Sequence, residues 1–155
     1  MQAMIYIRRV DPAEASVLTK IAKSAKRHWG YPEHWLAIWD PQLTFSPEYF
    51  VENESWVAID GERPIAFYTL LDKDGNAWIE NLWVRPEYIG KGIGKQLFLH
   101  ALKLTHQRGY KFLRLEADPN AQGFYEKMGM HKIGERLSAV DDQLRTLPIM
   151  EICLG

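Results

Sequence analysis

The sequence predicts an α/β chain of the α+β type, with a mixed, mostly antiparallel central sheet of about six to seven strands and about four flanking helices. Three observations predict it. Strand-like runs at 55–59, 64–71 and 77–84 follow one another through short polar links, as in an antiparallel meander. A glycine-rich turn, Gly90-Lys91-Gly92-Ile93-Gly94, joins the last run to an amphipathic helix. The element order β-α-α-β-β-β-α-β-α-β-β implies a mixed sheet covered by helices.

Each element has a local cause. Residues 4–10 alternate weakly and read as a first strand. Asp11 then offers an N-cap, Pro12 suits the first helical position, and Glu14 can reach back to the cap. Val17, Leu18, Ile21, Ala22 and Ala25 share one face of the helix that follows. Gly30 ends it, Pro32 begins a second short helix through Ile38, and a loop with Pro41 and Pro47 leads to Tyr49 and Phe50. Asp60-Gly61 suits a hairpin turn, and residues 72–76 make a second turn before the run at 77–84. The helix after the glycines carries Ile93, Leu97, Ala101 and Leu104 on one stripe, widened by Phe98 and Leu102, and Gly109 is placed to stop it. A strand at 111–117, a short helix at 121–128 ended by Gly129, and a strand at 130–134 come next. Residues 138–148 read as an acidic loop, before a last strand at 147–154. With no repeat or linker, the 155 residues are expected to form a single domain, 1–155.

Composition narrows the function classes. Hydrophobic residues are 46% and charged residues 25%, and the net charge is −1, so no global basic surface argues for nucleic acid. No run reaches the ~20 apolar residues that span a bilayer, and the N-terminal stretch lacks a long apolar secretory core. The only cysteine, Cys153, excludes an internal disulfide and a cysteine-based zinc cluster. The five histidines are scattered, and no metal site is expected. A cytoplasmic location follows as the default expectation, with neither nucleic acid nor membrane as a partner.

The glycine turn is the chemically informative segment. Unpaired N–H groups and the helix dipole at such a turn favour an anion, and Lys91 and Lys95 reinforce the field. A P-loop would require Gly-Lys followed by Ser or Thr, and a dinucleotide fingerprint would require G-x-G-x-x-G; the chain has neither here. A tight turn with no ligand is the structural alternative. One strand downstream, residues 117–130 read ADPNAQGFYEKMGM.

Together the two segments resemble the GNAT superfamily of acetyl-CoA-dependent N-acyltransferases. The family's Gln/Arg-x-x-Gly-x-Gly/Ala signature falls on Ile89-Gly90-Lys91-Gly92-Ile93-Gly94, and its Asn-x-x-Ala-x-x-Phe-Tyr signature falls in the second segment. The resemblance covers nearly the whole chain in element order. It implies a sheet splayed between the fourth and fifth strands. It also implies acetyl-CoA as donor, with the pyrophosphate on the amides of Gly90 to Lys95, the pantetheine arm along Leu82, Trp83 and Val84, and Asn120, Phe124 and Tyr125 nearby. Ile89 stands where the family has Gln or Arg, and Asp118 where it often has Asn; the first departure predicts weaker, not absent, phosphate binding.

By the same resemblance Tyr125 is the acid that protonates the departing thiolate, and Glu80 is the candidate base. Apolar neighbours on its strand face would raise the Glu80 pKa; His34 is the alternative base, and plain packing of Tyr125 or solvation of Glu80 are the bland readings. The aromatic segment with Trp29, Tyr31 and His34, followed by Trp35 and Trp39, is expected to wall the acceptor pocket or else form a small satellite core. Arg145 is expected to pair with Asp141 or Asp142, or to contact an acidic acceptor. Nothing near Cys153 activates it, so direct attack in a ternary complex is expected over an acetyl-cysteine. The implied activity is acetyl transfer from acetyl-CoA to a primary amine of a small molecule or peptide. A catalytically weak acyl-CoA sensor of the same fold is the alternative, and a homodimer is compatible with the resemblance.

Overall fold

Asp11 sets the first turn of the chain: its side chain accepts the Ala13 amide at 2.9 Å, while Glu14 Oε1 accepts the Asp11 amide at 2.8 Å. This is the reciprocal cap that the sequence predicts. The structure, a computed structural model, describes residues 4–155; the first three residues of the N-terminal run lie outside the described residues. Strand β1 (Ile5–Arg9) precedes the cap and helix α1 (Ala15–His28) follows a short 3-10 turn. Helix α1 buries Ala15, Leu18, Ile21, Ala22 and Ala25. Fully burying Leu18 or Ile21 is worth about 1.5–3 kcal/mol each. Gly30, at φ +80°, ends the helical path.

Helix α2 (Glu33–Trp39) and a 3-10 turn at Asp40–Leu43 come next. The stretch read as a loop then holds a further helix, α3 (Pro47–Glu52). Ser46 Oγ accepts the Tyr49 amide at 3.2 Å and Pro47 occupies the first turn, so the cap and the proline start a helix here. Its Phe50 packs against Phe45 and Phe67, with ring centroids at 5.6 and 6.0 Å.

Strands β2 (Glu54–Asp60), β3 (Arg63–Lys73) and β4 (Asn76–Val84) form the expected succession, with a 3-10 turn at Pro86–Tyr88 leading to helix α4 (Ile93–Gln107). Strand β5 (Phe112–Glu116), helix α5 (Gln122–Lys127) and strands β6 (His131–Val140) and β7 (Gln143–Cys153) complete the order. The seven strands lie in the order β1-β2-β3-β4-β5-β7-β6. Strand β4 pairs in parallel with β5, whereas β1–β2, β2–β3, β5–β7 and β6–β7 are antiparallel, so the sheet is mixed and mostly antiparallel. The parallel register runs from Ala77↔Leu113 to Ile79↔Leu115, and β4 continues past it to Val84.

Residues 138–148 are not an acidic loop. Val140 pairs with Gln143 across Asp141-Asp142, whose φ values of 49° and 61° make a two-residue turn between β6 and β7. Aspartate tolerates this left-handed backbone better than most residues. The strand predicted at 130–134 runs on to Val140 as β6, a mostly exposed edge strand whose polar positions hid the extension.

Two compact units divide the chain. One takes residues up to Leu70 with Asn81–Phe98, and its core includes Leu18, Ile21, Val57, Ile65, Phe67 and Tyr68. The other takes Leu71–Glu80 with Leu99–Gly155, around Leu113, Leu115 and Met150. Among the described residues, no helix is long and apolar enough to cross a membrane.

Candidate active site

The glycine turn is built by its neighbours in the first unit. The Arg85 amide donates to the Ile65 carbonyl at 2.9 Å and Arg85 Nε to the Pro64 carbonyl at 2.8 Å, so the chain leaving β4 is held on β3. Gly90 and Gly92 follow at φ +81° and +80°. A residue with a Cβ would lose roughly 1–2 kcal/mol in that conformation. A Cβ built on either glycine meets nothing within 4 Å, so the turn has open space above it. The first N–H groups of α4 have no carbonyl one turn back within the helix and carry the positive end of its dipole. One expected donor is diverted: the Lys91 amide bonds the Tyr88 carbonyl at 3.3 Å. The turn contains no carboxylate, and its open left-handed glycines, helix start and lysines fit a diphosphate. Ile89 is 44% exposed and offers no donor.

Leu82, Trp83 and Val84 are half-buried at the end of β4. Beside them lies a polar network that the sequence reading missed. Asn81 Nδ2 donates to Tyr49 Oη at 2.9 Å and to Thr69 Oγ1 at 3.4 Å, while Asn81 Oδ1 accepts the Trp83 indole N–H at 3.1 Å. Thr69 in turn shares a 2.8 Å bond with the buried Ser55. These bonds fix the Trp83 ring and tie α3 to β4. The readable signal was Asn81 on the strand face that also carries Trp83.

In the second unit Tyr125 is buried on α5, with 7% of its surface exposed. Burial first, and then the charge of Asp118, push its phenol pKa above the usual tyrosine value. The group therefore keeps its proton throughout the neutral range. Phe124 is 37% exposed and meets the Tyr125 ring edge-on at 5.1 Å. The Asn120 side chain, expected at the cofactor, donates to Asp118 Oδ1 at 3.0 Å, as does its amide at 2.9 Å. Arg145 approaches the same carboxylate at 3.6 Å. Asp118 thus caps the turn before α5, which is what an Asn at this position would also do.

Glu80 is exposed on β4, so apolar neighbours do not enclose it as the sequence reading expected. His34 is exposed on α2, and Trp29 is 41% exposed at the end of α1. Tyr31, Trp35 and Trp39 form one cluster, with centroid separations of 5.9, 4.9 and 5.8 Å. A protein cation lies over two of its rings: Lys26 Nζ lies 4.2 Å from the Trp39 centroid and 4.9 Å from that of Tyr31. The cluster is therefore a small aromatic group with a lysine packed over one face of Tyr31 and of Trp39. Beside it, a cavity of about 380 Å³ is lined by Lys23, Arg27, Glu33, Leu36, Asp40 and Leu43 among others.

The glycine turn and Tyr125 both fall within residues 17–130, the span matched by the model of the acetyltransferase (GNAT) family. The chain belongs to the GNAT family. It is an N-acetyltransferase by that membership and by its relatives. This GNAT protein is 34% identical over 106 residues to peptidyl-lysine N-acetyltransferase YjaB of Salmonella typhimurium, covering 68% of each chain. Its fold matches a GCN5-related N-acetyltransferase from Rhodopseudomonas palustris, with TM-score 0.81, 22% identity, and coverage of 99% of this chain and 98% of that one. It also matches PaiA N-acetyltransferase of Thermoplasma acidophilum, a structure in complex with coenzyme A, with TM-score 0.76, 24% identity, and coverage of 96% and 98%.

Proposed function

We propose that this N-acetyltransferase takes its acetyl group from acetyl-CoA and delivers it to a primary amine by direct attack in a ternary complex. The acceptor we favour is a lysine-type amine of a peptide. The observation that carries the donor is the open glycine turn at the start of α4, which fits a diphosphate. The acceptor class is supported by the relative named for peptidyl-lysine acetylation.

Acetyl-CoA, when bound, supplies an acetyl thioester and a leaving thiolate. The chain's own groups do the rest. Amides of Gly90 and of 92–95 hold the phosphates. Strand β4 at Leu82–Val84 offers backbone groups to the pantetheine arm and an N–H to the acetyl oxygen as its charge grows. A lysine amine of pKa about 10.4 is neutral in only ~1 molecule in 10³ at pH 7, so its proton must be removed. Glu80 takes that proton, directly or through water. Tyr125 holds a proton that it gives to the leaving sulfur, and its raised pKa keeps the phenol in the donor state.

A titration calorimetry run with acetyl-CoA, followed by a CoA-release screen over lysine peptides and small amines, tests this reading. Saturable binding and release with peptides are expected. Binding without release from any amine would instead favour the acyl-CoA sensor, and no binding would remove the donor.

A further inference from the structure

The 3-10 turn before the glycines is held by the end of the β2–β3 hairpin. Tyr88 O–H donates to Asp60 Oδ2 at 2.5 Å, and Arg63 Nη2 meets Glu87 Oε2 at 3.2 Å. Asp60 and Arg63 are themselves register partners across that hairpin. Tyr88 and Glu87 are thus pinned side by side to adjacent strand ends. On the other side of the tyrosine, Lys91 Nζ lies 5.5 Å from the ring centroid, and the Lys91 amide bonds the Tyr88 carbonyl. The glycine on each side of Lys91 lets the backbone turn back so that residue 91 reaches residue 88 twice.

The three groups act in sequence. A phenol that donates to a carboxylate has a more electron-rich ring face, and that face attracts an ammonium. A free lysine side chain at a loop tip would lose considerable rotamer entropy on gripping a phosphate. A lysine already restrained by the ring loses less. Ile89 is aliphatic and 44% exposed, so it offers the phosphates no charge, whereas Lys91 does.

We propose that Asp60 and Tyr88 are positioning residues that hold Lys91 ready to contact the phosphates of acetyl-CoA, replacing the side-chain contact that Ile89 cannot make. The proposal rests on the acetyl-CoA reading. Asp60 fixes the ring, the ring restrains the ammonium, and the ammonium meets the phosphate as a charge-assisted hydrogen bond.

The experiment is a double-mutant cycle on acetyl-CoA affinity, read by titration calorimetry at several salt concentrations. Lys91→Met is expected to weaken binding about tenfold and to flatten its salt dependence, and Lys91→Arg to restore both. Tyr88→Leu and Asp60→Asn should each weaken binding about three- to fivefold in the presence of Lys91 and have little further effect once Lys91 is Met. A melting curve for each variant confirms that the fold persists, and Tyr88→Phe, which keeps the ring but frees it from Asp60, gives an intermediate loss. Wild-type binding with Lys91→Met as tight as wild type, or with losses that simply multiply across the cycle, overturns the proposal alone. Failure of the wild type to bind acetyl-CoA overturns the donor reading together with it.

Discussion

At the scale of single residues, Tyr125 combines two properties that pull in different directions. It is buried, which suits packing, and its phenol is pushed above the ordinary tyrosine range, which suits a proton donor. Replacing it with Phe keeps the packing and removes the proton. Tyr125→Phe is expected to lower kcat about 100-fold, with acetyl-CoA affinity within about twofold of wild type. Steady-state kinetics alongside calorimetry separates the two. The same group makes a statement about stability. Unfolded tyrosine titrates near 10 and the folded phenol higher, so its contribution is intact below about pH 10 and is lost as pH rises from there through the folded value. Denaturant melts across that alkaline range should show a loss of stability that Tyr125→Phe reduces. Glu80 differs, being exposed. Glu80→Gln should flatten the alkaline-rising limb of the pH–rate profile, and a limb that persists would transfer the base role to His34 or to water.

At the scale of elements, the parts legible in the sequence are those with local causes. The Asp11 cap, the Asp60-Gly61 turn and the Gly109 stop each announce a boundary within a few residues, and each boundary stands where expected. Helix α3 escaped because its six residues, starting at Pro47, give too short a period to read, although Ser46 was a signal. The β6–β7 hairpin escaped because an edge strand with exposed polar positions has no alternation to show. Its turn gives a direct test: Asp141-Asp142→Asn-Gly should stabilise by about 0.5–1 kcal/mol, since glycine is at ease in the left-handed region, as denaturant melts would reveal. The cap before α1 gives another. Two hydrogen bonds from the Arg8 guanidinium, at 2.9 and 2.8 Å, lead the causes that hold the Glu14 carboxyl below its usual pKa of 4.5. Its stabilising effect is therefore present above about pH 4.5 and lost as pH falls through the lowered value. Glu14→Gln should cost about 1 kcal/mol at neutral pH and markedly less near pH 3, with melting curves at both as the check.

At the scale of the whole molecule, the glycine turn proposed to hold the donor was legible and the acceptor was not. The glycine turn is contiguous in sequence, and a helix start with three glycines in five residues states its own electrostatics. Other contacts within each unit are assembled from distance. Asp60 reaches Tyr88 across 28 positions, Asn81 reaches Tyr49 across 32, and Asp118 meets Arg145 from the far side of the β6–β7 hairpin. Lys26, packed over Trp39 and Tyr31 from the preceding helix, likewise favours the satellite-core reading of the aromatic segment. The central claim, an N-acetyltransferase that uses acetyl-CoA on a peptide amine, is tested most directly by following the acetyl group itself. The protein would be incubated with isotope-labelled acetyl-CoA and lysine-containing peptides, and the products mapped by mass spectrometry. The expected result is label on the lysine side-chain nitrogen, lost or much reduced with Tyr125→Phe. Peptides without label beside intact labelled acetyl-CoA, under conditions where binding is saturated, would contradict the account.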